Sequence, residues 1–154
     1  MKNLAMSMDS VHLRLRDIGY DLYPIPLAKD IQDVTVTRQF ISCHYGGNTQ
    51  ATFPSIKQSF LDKHGLNDFM YPNLEYNPHA PEVPGAPGLF FGAIGGPAGE
   101  WDDEQRVICR IKQSEWQYQG QYVFAPVESL TKEEWCSQKT SVPDLTSYLS
   151  DQIC

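Results

Sequence analysis

Apolar and polar positions alternate most cleanly at 115-EWQYQGQYVFAP-126. Trp116, Tyr118, Gly120, Tyr122 and Phe124 share one parity, and Gln117, Gln119, Gln121 and Val123 the other. A period of two marks a half-buried strand. The pattern predicts a strand over 115–124 with its aromatic side chains inside, Trp116 and Phe124 packing against Leu89 and Phe91. The three glutamines are expected to be exposed or paired with neighbouring strands. Gly120 interrupts the stripe at its centre, where a glycine signals a bend or the close approach of a backbone or ligand. Tyr118 and Tyr122 are the two aromatics expected to reach a pocket as well as the core. The segment 105-QRVICRIK-112 alternates too, with Arg106 and Arg110 on one face and Val107, Cys109 and Ile111 on the other. A tight turn near Gln113-Ser114 would join the two strands as a hairpin.

The rest of the chain carries mixed signals. Residues 33–45, DVTVTRQFISCHY, are rich in β-branched and aromatic side chains and read as a strand. Gly46-Gly47-Asn48 reads as a turn with permissive backbone, and Gln50 to Phe53 as a short returning strand. Pro54 suits the first position of a helix over SIKQSFLDKHG, with Ile56, Phe60 and Leu61 inward and Gly65 as its cap. Residues 9–23 predict a short helix behind Asp9 and Ser10, ended by Pro24 and Pro26. The run 88-GLFFGAIG-95 reads as a buried strand. Thr131, with Glu134 three residues on, forms a capping box for TKEEWCSQK, and a last short helix is expected over 143–153. Between 71 and 88 five prolines break all periodicity. Long loops of this kind are often functional. The expected architecture is α+β: a small curved, mostly antiparallel sheet or partly closed β-barrel, with two to four short helices. Strands 34–45, 88–94, 105–112 and 115–124 would form the sheet, with the helix 55–64 packed on it. One globular domain, 1–154, is expected, with a core of about 34–138 and peripheral segments at 1–33 and 139–154.

Composition narrows the function. A chain of 154 residues can bury roughly 70% of its extended-chain surface without disulfide or metal staples. Its net charge of −7 disfavours a protein that coats nucleic-acid backbone, which needs Lys and Arg to displace counterions. The same charge disfavours binding to anionic membranes, and no apolar run approaches the ~18 residues of a membrane span. Cys43, Cys109, Cys136 and Cys154 stand far apart with no CxxC pair, and no secretory apolar run precedes them. An intracellular protein with reduced thiols is the expectation.

Catalytic and metal motifs fail one by one. His12, His44, His64 and His79 have no metal-site spacing. Cys43 and His44 are adjacent, so on a strand they would point to opposite faces and could not form a dyad. The acidic run Glu100, Asp102, Asp103 and Glu104 is followed by Arg110-Ile111-Lys112. Arginine there occupies the position where a metal-dependent nuclease needs a carboxylate. GAIGG and YGGN lack phosphate-loop spacing. The sequence therefore points to no catalytic residue, no metal and no cofactor, and leans away from an enzyme.

One region differs from the acidic remainder. The 28 residues between Asp33 and Asp62 contain no carboxylate but hold Arg38, His44 and Lys57. Ser42, Tyr45, Asn48 and Gln50 in the same window carry side chains that hydrogen-bond base or amide edges. The candidate ligand-binding set is Arg38, Ser42, Tyr45, Asn48, Gln50, Tyr118 and Tyr122. Arg38 would be the anchor, because its planar fork of donors suits phosphate or base edges. If Arg38 is structural instead, a carboxylate such as Asp33 or Asp62 would hold it.

The stretches 38-RQFISCHYGGNTQATFP-54, 64-HGLNDFMYPNLEYNPHAPEVPGAPGLFF-91 and 116-WQYQGQYVFAPVESLTKEEW-135 together resemble an uncharacterised domain family of mushroom-forming fungi, over about residues 34 to 138. That family has no established activity, so the resemblance transfers no site residue. At fold level, GLFFG, the strand pair and the W-x-Y-x-G-x-Y signature are similar to small β-barrels of the PUA and SRA type. Such barrels often read modified or flipped bases. The SRA-type motifs themselves are absent. Three functions stay open. The first is a non-catalytic binding module with a polar–aromatic pocket for a modified base, nucleotide or nucleic acid. The second is a protein-interaction domain using the acidic surface and the Pro-rich loop. The third is a small hydrolase.

Overall fold

The computed structural model describes residues 6–91 and 104–137. The predicted last helix at 143–153 and the acidic run 100–103 lie outside them. The described residues form an α+β fold with five short helices, one more than the upper expectation. These are α1 (Met8–Leu15), α2 (Lys29–Gln32), α3 (Arg38–Tyr45), α4 (Gln58–His64) and α5 (Lys132–Ser137). Four strands, β1 (Thr35–Val36), β2 (Phe69–Met70), β3 (Gln105–Lys112) and β4 (Glu115–Tyr122), make one sheet in the order β1-β4-β3-β2. The sheet is open and not a barrel. It is mixed, because β2 runs parallel to β3 while β1–β4 and β3–β4 are antiparallel.

The β3–β4 hairpin falls where alternation placed it. Its turn is at Gln113-Ser114, where Ser114 has a positive φ of 62°. The expected single aromatic face does not survive intact. Val107 faces Gly120 and Ile108 faces Tyr118, so Gln119 has no opposite number. This one-residue bulge reverses the parity of β4. Trp116 and Tyr118 pack with Ile41, Ile56, Phe69, Tyr71 and Ile108 on one side of the sheet. Tyr122 and Phe124 pack with Met70, Ala80, Val107 and Cys109 on the other. Two of the glutamines are buried: Gln117, 9% exposed, pairs with both neighbouring strands as expected, while Gln119, 0% exposed, is the unmatched bulge residue, contrary to expectation. Gln117 donates to Gln32 O at 2.9 Å. Their burial follows from the chain laid across that face.

The largest correction concerns residues 33–45. Only Thr35–Val36 are strand, and Arg38–Tyr45 form α3. Thr37 is the N-cap, its Oγ1 accepting from Phe40 N at 3.1 Å. Past that cap, Arg38 and Ile41 fall on one helical face and are both buried. Gly46 ends the helix at φ 83°, donating to Ser42 O, so Gly46-Gly47 closes a helix and not a hairpin. A Cβ on Gly46 would lie 2.8 Å from the Phe60 ring, which is why α3 and α4 come so close there. Gln50 to Phe53 form no strand, although Thr52 O accepts from Tyr71 N at 2.8 Å. α4 begins after Lys57, later than Pro54 suggested, and ends at Gly65 in the left-handed region as expected.

The other expected elements are shorter. α1 starts behind Ser7, whose hydroxyl accepts from Ser10 N, and stops at Leu15, well before Pro24. Residues 88–91 are irregular, and the rest of the predicted strand 88–95 lies outside the described residues. Leu89 packs with Met6, Val11 and Leu15, away from Trp116. The Thr131–Glu134 capping box forms in both directions, at 3.1 and 2.9 Å. Glu134 also meets Arg14, 5% exposed at its side chain, at 2.7 Å. That pair ties α1 to α5.

Candidate functional site

The carboxylate-free window folds into α3 and the loop behind it, and that loop is held from inside. Arg38 opens α3 and is only 4% exposed. Its Nη2 donates to Asn48 O at 2.7 Å and Ala51 O at 3.1 Å. Ser42 Oγ donates to Gly47 O at 2.6 Å, and Asn48 Oδ1 accepts from Gln50 N at 2.7 Å. Arg38, Ser42, Asn48 and Gln50 are therefore brought together, but largely to fix the 46–51 loop. No carboxylate among the described residues pairs with Arg38. Neither Asp33 nor Asp62 holds it; Asp33 pairs with Lys29, and Asp62 accepts from Gln58.

The Arg38 guanidinium stacks on the face of Tyr71, 3.2 Å from the ring centroid, with Trp116 at 5.7 Å. Arg38 Nε, Arg38 Nη1 and the Tyr71 hydroxyl are buried without a hydrogen-bond partner among the described residues. Burial pushes the Arg38 guanidinium down from its ordinary value and the Tyr71 phenol up, because water is withdrawn from the charged form of each.

Tyr71 is one half of a parallel ring pair. Phe69 stacks with it at 5.9 Å and 11°, the two side chains being two residues apart along extended chain. The parallel register sets Phe69 beside Arg106, whose guanidinium stands 5.6 Å from the Phe69 ring. Arg106 also pairs with Asp68 at 2.7 Å, both partly exposed. Two arginines thus flank two stacked rings, one buried and one at the rim. Tyr118 lies on the same side of the sheet, half-buried, its phenol pushed up by burial against the pull of Arg106. Tyr45, at the end of α3, sits 5.6 Å from Phe69 and 5.5 Å from His64. Next to Arg106 and Asp68 a solvent-open dip of about 390 Å³ is lined by Gly65, Leu66, Asn67, Asp68 and Gln105.

Tyr122 lies on the opposite side of the sheet with its hydroxyl donating to Ala86 O at 2.9 Å, so it does not join this group. Sequence reasoning missed Phe69, Tyr71 and Asp68 as site residues. It placed Arg106 on the correct strand face without linking it to Arg38. A usable signal was the triplet Asp68-Phe69-Met70 followed by Tyr71, an alternating aromatic pair just after a helix-ending glycine.

Among the described residues no three His, Cys, Asp or Glu side chains gather in a metal-holding group. Cys43 is exposed and free, while Cys109 is buried with its thiol pushed up to about 12. A thiol held so firmly protonated is a poor nucleophile. No described helix is long and apolar enough to cross a membrane.

An open mixed sheet with α3 and α4 on one side and an arginine–aromatic cluster between them and the strands defines a small α+β module. The chain belongs to the family described as a domain of unknown function (DUF6697), matched over residues 35–151. The match begins at β1, so α1, α2 and the chain between them precede it. No curated protein and no solved structure matches the chain.

Proposed function

We propose that this is a non-catalytic binding module that takes a planar, polar ligand with an acidic group, a nucleotide or a modified base in a nucleic acid, at the arginine–aromatic face. The observation that carries the reading is the pairing of each stacked ring with its own arginine beside an open dip. Arg106 is the cation that reaches the rim, and a guanidinium suits phosphate geometry. Asn67, Asp68 and Gln105 offer both donors and acceptors to a base edge. Tyr45 and Tyr118 supply half-exposed ring surface on either flank. Arg38 acts one layer deeper, holding Tyr71 and the 46–51 loop in place. The dip's volume lies within the ordinary range for small-ligand sites, about 300–1,000 Å³.

The test is a titration of ¹⁵N-labelled protein with nucleoside monophosphates, 5-methylated ones included, and with inorganic phosphate. Saturable shifts at Asp68, Gln105 and Tyr118 amides are expected. Arg106→Ala should weaken that binding at least tenfold, about 1.4 kcal/mol. Shifts that follow ionic strength alone, or that persist unchanged in Arg106→Ala, defeat the reading.

A further inference from the structure

The chain that leaves α4 builds one rim of the open dip. Gly65, at φ 69°, turns it out of the helix. Leu66 N then donates back to His64 Nδ1 at 3.0 Å, and the Leu66 side chain packs on the α3-side core. Asn67 and Asp68 therefore follow from a fixed start. Asp68 is held twice by one residue of β3. Its carbonyl oxygen accepts from Arg106 N at 2.6 Å, and its Oδ1 accepts from Arg106 Nη1 at 2.7 Å. A carboxylate offers about four lone-pair positions on its two oxygens, and Arg106 takes one of them. Among the described residues, Asp68 Oδ2 and the side-chain amides of Asn67 and Gln105 have no hydrogen-bond partner. All three residues line the dip. It thus presents a firmly placed acceptor with adjacent positions open, flanked by two unused amides.

We propose that the base this dip selects is guanine, taken as a free mononucleotide by its Watson–Crick edge. The inference rests on the nucleotide reading above and narrows it. An ionised carboxylate only accepts. Among the common bases, guanine alone sets two N–H donors side by side on that edge, N1–H and the 2-amino group, with the acceptor O6 beside them. Asp68 takes the two donors, and the amide of Asn67 or Gln105 donates to O6. Adenine and cytosine each place a ring-nitrogen lone pair next to their amino group, and that lone pair would face the carboxylate. Uracil flanks its N–H with carbonyl oxygens, which the carboxylate repels. Arg106 orients Asp68 through one nitrogen and leaves its remaining N–H groups for the phosphate. The net charge of −7 favours a free nucleotide over a polymer, whose successive phosphates would meet that charge.

The test titrates the full ¹⁵N-labelled chain at neutral pH with GMP, IMP, AMP, CMP and UMP. GMP should bind at least about tenfold more tightly than AMP, CMP or UMP, within the range that a two-bond contact to a base edge discriminates. IMP keeps N1–H and O6 but lacks the 2-amino group, so its affinity should fall between. The analogue 1-methyl-GMP, whose N1 carries no hydrogen, should bind no better than AMP. These comparisons use wild type alone and decide the matter even if a variant does not fold. Asp68→Asn should bring GMP down to the level of AMP, while inorganic phosphate still shifts the Arg106 amide. Equal binding of all these nucleotides that still depends on Arg106, or a GMP preference unchanged in Asp68→Asn, overturns guanine and leaves the nucleotide reading standing. The absence of saturable binding by any nucleotide overturns both. A single-stranded UGU trinucleotide that binds more than about tenfold more tightly than GMP would assign the edge to guanine within a nucleic acid and overturn a free nucleotide as the ligand.

Discussion

The two sides of one sheet are closed in different ways. On the α3/α4 side, cover comes from capped helices whose contacts are short and mutual. Arg38 holds two carbonyls and a ring, and His64 bridges the end of α3 to the chain after α4, with Nε2 against Tyr45 O and Nδ1 accepting from Leu66 N. On the other side, cover comes from a Pro-rich loop and an exposed crossing segment that approach through glycines. The first side spends side-chain chemistry to fix its cover. The second has a well-buried apolar cluster of Met70, Ala80, Val107 and Cys109, but the crossing segment above it, residues 20–27, is held by one backbone hydrogen bond, from Tyr23 N to Gly85 O, and the seating of Ile25 in the notch at Gly120. Local opening follows the density of buried contacts, so the exposed crossing segment should open before the cluster beneath it and before the α3/α4 side.

The sharpest way to break that contrast is Arg38→Ala. It removes two charge-assisted hydrogen bonds, leaves two carbonyls without their donor and opens a void over Tyr71. A loss of about 3 kcal/mol is expected in urea unfolding. A loss below about 1 kcal/mol would mean that the two sides are held equally loosely. Gly120→Ala probes the other side. Its positive φ strains any side chain, at about 1–3 kcal/mol, and the new methyl meets Ile25. Ile25→Ala in the same chain should recover part of the loss, and a double-mutant cycle would show the coupling. Full additivity would remove Ile25 from the notch.

Acid should set the attachment of α1 apart from the α3/α4 side, with a smaller effect. Glu134 is held at about 2 by hydrogen bonds from Arg14, Ser10 and Thr131, against about 4.3 when unfolded. A depressed carboxylate stabilises fully above the unfolded value and loses that stabilisation as pH falls through the folded one. His79, whose Nε2 accepts from Met6 N at 2.9 Å, is lowered by burial. Its contribution is present above the ordinary histidine value and lost as pH falls through the depressed one. The attachment of α1 should therefore loosen progressively from about pH 6 downward, chiefly between about 4 and 2, while the Arg38 contacts, which involve no carboxylate, persist. Amide exchange at Val11 and Ile41 across that range measures both. Glu134→Gln should flatten the lower part of the Val11 profile.

How much of this was legible depends on whether a segment's own pattern agreed with its environment. The β3–β4 hairpin and the α5 cap were readable because period two and the Thr131–Glu134 pair are local signals. α3 was misread because Val34, Thr35, Val36 and Thr37 raised strand propensity just before it. The deciding fact was the Thr37 hydroxyl, free to cap, followed by Arg38 and Ile41 at helical spacing. Arg38 was identified as the central residue of its window, but its element and its partners were not foreseen. Its ring partner Tyr71 arrives directly behind β2, a strand of two residues that joins β3 in parallel; so short a strand carries no periodicity to read. The burial of Gln119 was missed for a similar reason, since nothing in β4 announces that residues 20–34 will lie across it.

The unmatched Gln119 also sets how this chain tolerates changes in length. Because it reverses the parity of β4, one continuous aromatic stripe feeds two hydrophobic cores. Deleting that single codon would leave Tyr118 opposite Ile108 and Gly120 opposite Val107 in an unbroken ladder, so Tyr122 and Phe124 would keep their side, whereas loss of Gln121 would turn both toward the α3 side. A substitution at 119 would remove only a side chain. In a deep scan of insertions and deletions, position 119 should therefore behave as a phase mark, more tolerant of a lost residue than position 121.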